Sequence, residues 1–200
     1  MVSQVKIGVL ALQGDFFEHL RALREVGAEA REVRTPEQLE EVDSLILPGG
    51  ESTTIGKLMD RYGLIQAVRQ RAEQGMPLWG TCAGMILMSR RILNGLPGQP
   101  SLSLMDLEVE RNAFGRQVDS FQADLDLPIL GKKPFPAVFI RAPLARALDG
   151  ASGVEVLGEH RGRIVAARQG NLVVSAFHPE LTGDDRFHAW FSQLTASAST

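Results

Sequence analysis

The chain opens with a nearly continuous apolar run over residues 6–12 (KIGVLAL), the pattern of a strand buried on both faces. Gln13, Gly14 and Asp15 break it. Over residues 16–26, Phe16, Leu20, Leu23 and Val26 recur at helical spacing, and Gly27 stops that helix. Residues 30–34 read as a second strand and residues 44–47 as a third, ended by Pro48-Gly49-Gly50. Thr53 or Thr54 can cap a helix running to about Gln74, with Gly75 closing it. Residues 77–80 predict a fourth strand and residues 83–93 a helix directly after it. This alternation predicts an α/β fold, a parallel sheet with helices on both faces.

The second half is strand-rich. Residues 107–110, 118–127, 137–140, 154–157, 163–167 and 172–177 all read as strands. Turns at 159–162 and 169–171 suggest antiparallel hairpins. Residues 184–194 predict a closing helix with Phe187, Trp190, Phe191 and Leu194 on one face, and about residues 195–200 are expected as a disordered tail. Residues 95–100 hold two Gly and two Pro and read as a loop. No internal repeat and no long linker interrupts the pattern, so a single domain over residues 1–200 is expected.

Composition narrows the function. At 200 residues, 44% hydrophobic and 22% charged, the chain can build its own core, which excludes a disordered chain, a fibre or a disulfide-stapled mini-protein. A net charge of −3 without a basic run argues against nucleic acid or an anionic membrane as partner. The apolar stretches are too short to span a bilayer. The apolar N-terminal segment, flanked by Lys6 and Asp15 with no small-residue cleavage site, reads as no signal peptide. One cysteine makes no internal disulfide, and a cytoplasmic protein is the simplest expectation. There is no CxxC, HExxH or EF-hand pattern, so no metal or cofactor is expected. Gly50 and Gly56-Lys57 fail the phosphate-loop spacing, and Leu58 stands where Ser or Thr is needed.

Cys82 sits in Gly80-Thr81-Cys82-Ala83-Gly84, between an apolar strand and an apolar helix. Small residues on either side of a sharp strand-to-helix turn are the pattern of a nucleophile elbow, and the following helix N-terminus favours a thiolate. The turn alone leaves a second reading open, a small buried structural cysteine. A thiolate needs an acid and base. Of the four histidines, His19 and His188 fall on predicted helices as surface or half-buried side chains, and His160 falls in a charged, solvated turn. His178 ends a strand and precedes Pro179-Glu180; positions i and i+2 share a side of an extended chain, so Glu180 can fix its ring. Pro48-Gly49-Gly50-Glu51-Ser52 offers backbone N–H groups to a ligand or oxyanion, or is simply a turn and helix cap.

Gly49-Gly50-Glu51-Ser52, Gly80-Thr81-Cys82-Ala83-Gly84 and Phe177-His178-Pro179-Glu180, in that order, resemble the class I (triad) glutamine amidotransferases. More narrowly, the chain resembles the glutaminase subunits of pyridoxal 5′-phosphate synthases. The narrowing segments are Leu12-Gln13-Gly14, residues 47–54, residues 109–121 (VERNAFGRQVDSF), residues 138–143 and residues 175–181. The resemblance implies a three-layer αβα fold with a mixed, mostly parallel sheet. It implies Cys82 as nucleophile, His178 as acid and base, Glu180 as its orienter, and an oxyanion hole from Gly50 and Ala83. L-glutamine would be held by Gly49, Gly50, Glu51, Ser52, Arg111, Ile140 and Arg141. Ammonia would pass to a (β/α)₈-barrel synthase subunit that builds the pyridoxal ring from ribose 5-phosphate and glyceraldehyde 3-phosphate, in a complex of twelve synthase and twelve glutaminase subunits. The alternatives are the glutaminase of another synthase, a γ-glutamyl hydrolase, or a non-enzymatic module using the thiol alone.

Overall fold

The computed structural model describes residues 4–111 and 120–198. Its elements run β1 (Lys6–Leu10), α1 (Phe16–Glu25), β2 (Glu29–Val33), α2 (Pro36–Glu40), β3 (Ser44–Leu47), α3 (Ser52–Arg61), α4 (Leu64–Glu73), β4 (Leu78–Thr81), α5 (Ala83–Met88), β5 (Ser89–Leu93) and β6 (Met105–Glu110). They continue with β7 (Ser120–Leu125), β8 (Phe135–Ile140), β9 (Leu144–Ala147), β10 (Val154–His160), β11 (Arg163–Gln169), β12 (Leu172–Ser175) and α6 (Arg186–Ala198).

The central sheet is mixed, in the order β2-β1-β3-β4-β12-β11-β9-β6-β5, with β10 also paired to β11. From β2 to β12 every pairing is parallel. The strands from β12 through β11 and β9 to β6 pair antiparallel, and β5 lies parallel to β6. β3 and β4 are buried at every position, as strands covered on both faces must be. β7 and β8 form a separate antiparallel ribbon whose burial alternates residue by residue, so only one face is sealed.

Helices cover both faces. α5 packs on β3, β4 and β12 and against α3, which in turn packs on α4, while α1 and α6 pack together. Trp79 of β4 stacks on Phe187 of α6 with ring centroids 4.6 Å apart and lies 5.5 Å from Phe191. Gly84 lets α5 approach β3: a Cβ there would sit 2.2 Å from the Leu47 carbonyl oxygen.

Several expectations are corrected. The helix expected from Thr53 or Thr54 to Gln74 is two helices, because Gly63 adopts a left-handed φ of 74° and turns the chain between them. Its cap is Glu51, whose carboxylate accepts from the Thr53 and Thr54 N–H groups at 3.1 and 2.7 Å. The helix expected over residues 83–93 stops at Met88; Ser89 turns extended, and its hydroxyl donates to the Met85 carbonyl at 2.8 Å. The following residues become the edge strand β5, paired in parallel with β6, with Arg91 on Glu108 at 3.0 Å. α2 and β9 were not expected; Thr35 and Pro36 are an ordinary cap and first helical residue.

The tail expected over about residues 195–200 is helical to Ala198, because buried Thr195 donates to Ser44 Oγ at 2.9 Å. Ser199 and Thr200 lie outside the described residues, as do residues 118–119 of the strand expected over 118–127. His19 and His188 are fully buried rather than surface or half-buried, since α1 and α6 turn them toward Trp79. His160 ends β10 with its ring 5.5 Å from Phe121 and 5.7 Å from Phe139, not free in solvent; the turn itself is Arg161-Gly162, both at positive φ.

Gly84→Ala is expected to destabilise the protein by about 1–3 kcal/mol, because the overpacked methyl pushes α5 off β3. Urea denaturation would show a lower midpoint at unchanged slope; an unchanged midpoint would mean that α5 relaxes at no cost.

Candidate active site

Four segments leave the carboxyl ends of the neighbouring parallel strands β1, β3, β4 and β12, where open α/β sheets place ligands. They carry Gln13 to Asp15, Gly49 to Ser52, Cys82 and His178. A cavity of about 430 Å³ opens there, lined by Gln13, Glu51, Cys82, Arg111, Arg141 and His178 among others. Two surface grooves of about 590 and 600 Å³ are larger, but no cysteine, serine or threonine lines them.

Cys82 forms the turn between β4 and α5 with φ 47° and ψ −98°, a left-handed conformation that costs a side-chain-bearing residue about 1–3 kcal/mol. The turn is held because its N–H donates to the Ser175 carbonyl of β12 at 2.7 Å. Sγ lies 3.8 Å from the Ile140 carbonyl oxygen, and the residue is 7% exposed.

His178 follows β12 and donates its backbone N–H to Val138 of β8 at 2.8 Å. Its Nδ1 lies 2.7 Å from Glu180 Oε1, which leaves Nε2 for the hydrogen bond with Cys82. The helical turn Pro179–Leu181 folds Glu180 back under the ring, where the carboxylate is buried. Burial opposes a charge on His178, but its hydrogen bonds to Cys82 and Glu180, and their charges, outweigh this and raise its pKa to about 10. Burial pushes Glu180 up, against the pull of the hydrogen bond from His178 and its charge. Asp15 Oδ2 stands 3.5 Å from the same Nδ1. Asp15, His178 and Glu180 could in principle offer ligands to a metal, but Nδ1 and Oε1 are already in direct hydrogen-bond contact.

Gly49 packs flat on the imidazole: a Cβ there would sit 2.3 Å from His178 Cε1. Its carbonyl accepts from the Asp15 N–H at 3.1 Å, and Glu51 N–H donates to Gln13 Oε1 at 2.9 Å, so the β1 loop braces the glycine turn. Burial opposes the charge on Glu51, but hydrogen bonds from Thr54 and Thr53 outweigh it and hold its pKa at about 2. Arg111 reaches Glu51 Oε1 at 3.2 Å, Gln99 Oε1 at 3.2 Å and Thr53 Oγ1 at 3.4 Å, and Gln99 donates to Ser52 Oγ at 3.3 Å. Arg141 is exposed on the cavity wall at a left-handed φ of 43°.

The structure therefore brings Cys82, His178, Gly50, Glu51, Ser52, Arg111, Ile140 and Arg141 around one cavity. Glu180 lies behind His178, Gly49 against its ring, and Ala83 begins α5 directly after Cys82. Residues 112–119 of the expected motif lie outside the described residues. Sequence reasoning missed Asp15, Gln99, and the buried His19 and His188 behind Glu180. Asp15 carried a signal, a polar residue just past the carboxyl end of a buried parallel strand. Gln99 carried none, because only the fold lays the 95–100 loop beside Arg111.

The fold is shared with solved glutamine amidotransferases. One matches with a TM-score of 0.88 at 53% identity, covering 94% of this chain and 98% of that one. A second structure, PurLQS from Thermotoga maritima, matches with a TM-score of 0.66 at 17% identity, covering 98% of this chain and 100% of that one, a likeness of fold alone. The chain belongs to the SNO glutamine amidotransferase family, which it matches over residues 9–196. Among curated relatives, the pyridoxal 5′-phosphate synthase subunit PdxT of Herpetosiphon aurantiacus is 58% identical over 94% of this chain and 99% of its own length. That of Pelotomaculum thermopropionicum is 56% identical over 97% of each. Among the described residues no helix is long and apolar enough to cross a membrane.

Glu180→Gln removes the charge that favours a protonated His178, so the imidazole pKa is expected to fall well below about 10, as NMR titration would show. The folded-state pKa is raised, so His178's contribution to stability is complete below its ordinary value of 6.5 and is lost as pH rises toward about 10. Wild-type melting temperature should decline over that window, and the variant's curve should be flatter; parallel curves would exclude the assigned coupling.

Proposed function

We propose that this chain is the glutaminase subunit of a pyridoxal 5′-phosphate synthase, a single domain that releases ammonia from L-glutamine for a partner synthase subunit. The observation that carries the reading is the convergence of the lone thiol, at a strained strand-to-helix turn, with a buried His178–Glu180 pair on one cavity, in a chain 58% identical to a PdxT subunit.

In this reading the Cys82 thiolate attacks the side-chain amide carbon of glutamine. The tetrahedral oxyanion is met by backbone N–H groups near Gly50 and of Ala83. His178 gives its proton to the departing nitrogen, ammonia leaves, and a γ-glutamyl thioester remains. Water, deprotonated by His178, then releases glutamate and regenerates the thiol. Glu180 holds the ring and offsets the imidazolium charge. Arg111 takes the substrate α-carboxylate, and Gly49, Gly50, Glu51, Ser52, Ile140 and Arg141 complete the pocket. The partner is a (β/α)₈ barrel making pyridoxal 5′-phosphate from ribose 5-phosphate and glyceraldehyde 3-phosphate, in a cytoplasmic complex of twelve subunits of each kind. The chemistry is assigned to the chain's own residues, with no metal or cofactor.

A glutaminase assay of the purified chain, alone and with saturating synthase, tests the reading. Synthase is expected to raise turnover more than about tenfold, since turning one oxyanion donor into place is worth about 10²- to 10³-fold. Cys82→Ala should abolish hydrolysis, by at least about 10³-fold, with an unchanged circular-dichroism spectrum. Glutamate release within about tenfold of wild type in that variant would remove Cys82 from the chemistry.

Arg111→Ala is expected to weaken glutamine binding by about 2–5 kcal/mol, and Arg111→Lys to recover only part of it, because the planar fork is lost. Unchanged saturation curves in both variants would leave Arg111 as a brace for Glu51 and Gln99 only.

A further inference from the structure

Behind Glu180 the core holds a polar chain that the reaction as described does not use. His19 of α1 is fully buried, and its Nε2 lies 3.3 Å from Glu180 Oε2 and 3.2 Å from Thr81 Oγ1. Its Nδ1 lies 2.9 Å from Nε2 of His188 on α6, which is also fully buried. Two buried atoms of these three side chains, Glu180 Oε2 and His188 Nδ1, have no hydrogen-bond partner among the described residues. A buried carboxylate oxygen without a donor is costly, and each such atom needs a physical reason.

The tautomers supply it. If His19 carried its proton on Nδ1, it would donate to His188 Nε2, and His188 would have to protonate Nδ1. That would leave a buried N–H with no acceptor and Glu180 Oε2 facing a bare lone pair. If His188 donates from Nε2 to His19 Nδ1, the unpartnered His188 Nδ1 is only a lone pair, which costs less than an orphaned N–H. His19 then presents Nε2–H to Thr81 Oγ1, and the same nitrogen lies 3.3 Å from Glu180 Oε2, so the positive end of the N–H dipole, not a bare lone pair, stands beside that oxygen. Burial keeps both rings neutral: it pushes His19 well below the ordinary histidine range and His188 down to about 3.

We propose that His19 is a positioning residue for Glu180. Its neutral imidazole, fixed in the Nε2–H tautomer by His188, backs Glu180 Oε2 at 3.3 Å, so that Oε1 stays in line with His178 Nδ1. Trp79 walls this assembly, with ring centroids 5.7 Å from His19 and 5.0 Å from His188. The inference rests on the catalytic reading above for its effect on turnover, and on geometry alone for its effect on the Cys82–His178 pair. The titratable groups facing the assembly are Asp15, Cys82, His178, Glu180 and His188.

The chain has one cysteine, so the pH dependence of iodoacetamide labelling reports the Cys82 thiolate directly, without any glutamine chemistry. His19→Leu is expected to raise the midpoint of that profile by at least about half a pH unit, because a loosened Glu180 stabilises the His178 imidazolium less. In the synthase complex it should lower kcat by about tenfold or more with KM within about twofold. His19→Gln, which keeps an N–H at nearly the same place, should recover most of both. ¹⁵N NMR of the wild-type imidazoles should find His19 neutral with its proton on Nε2, a readout needing no variant to fold. An Nδ1–H or charged His19 would overturn the proposal, as would an unshifted labelling profile in folded His19→Leu, or equal losses in the Leu and Gln variants. Absence of glutamine hydrolysis by the wild-type complex would instead overturn the catalytic reading, while labelling and NMR would still decide the role of His19.

Discussion

The parallel pairing of β12 with β4 is the constraint on which the site depends. Val174 lies opposite Gly80 and Ser175 opposite Thr81, so two segments nearly a hundred residues apart end side by side. The last link of that ladder is the Cys82 N–H to the Ser175 carbonyl at 2.7 Å, which fastens the strained turn to the strand delivering His178. A strand register slipped by one residue would turn His178 to the opposite side of its strand. The approach of Cys82 and His178 is thus a direct consequence of sheet register.

The surrounding packing serves that alignment. α5 lies close on β3 because residue 84 has no side chain, which fixes the direction in which the chain leaves Cys82. β8 receives the His178 N–H at Val138 and carries Ile140 to the thiol, so the β7–β8 ribbon forms one wall of the cavity. The β1 loop forms the opposite wall, where Gln13 and Asp15 brace the Gly49–Gly50 turn. Four sheet-borne segments and one ribbon therefore share a small volume, tied together by backbone hydrogen bonds from Asp15 to Gly49, Cys82 to Ser175 and His178 to Val138, interactions that side-chain substitution leaves in place.

Electrostatics divides the buried histidines by their neighbours. His178 has an acid on one side and a thiol on the other, and these outweigh burial in favour of the charged ring. His19 and His188 lie in an aromatic shell beside Trp79, Phe187 and Phe191, with burial as the leading effect, and stay neutral. Residues of one type are thus pushed in opposite directions within a single layer of the core, His178 toward the charged ring and His19 and His188 toward the neutral one.

Much of the parallel half was written in local pattern. The apolar runs around β1, β3 and β4 specify strands buried on both faces, and the small residues around Cys82 specify a sharp turn, because both depend on neighbours in the chain. The elbow and the His178–Pro179–Glu180 spacing likewise marked the residues that the fold brings together. Other features were decided only by tertiary contacts. Ser89–Leu93 has apolar residues that suit a helix, yet becomes a strand because it pairs with β6, a partner distant in the chain. His19 and His188 read as surface or half-buried residues until α1 and α6 turn them toward Trp79. Gln99 joins Arg111 only when the 95–100 loop folds over α3. Local sequence determines φ, ψ and periodicity, whereas partners distant in the chain are chosen by which surfaces the completed sheet buries.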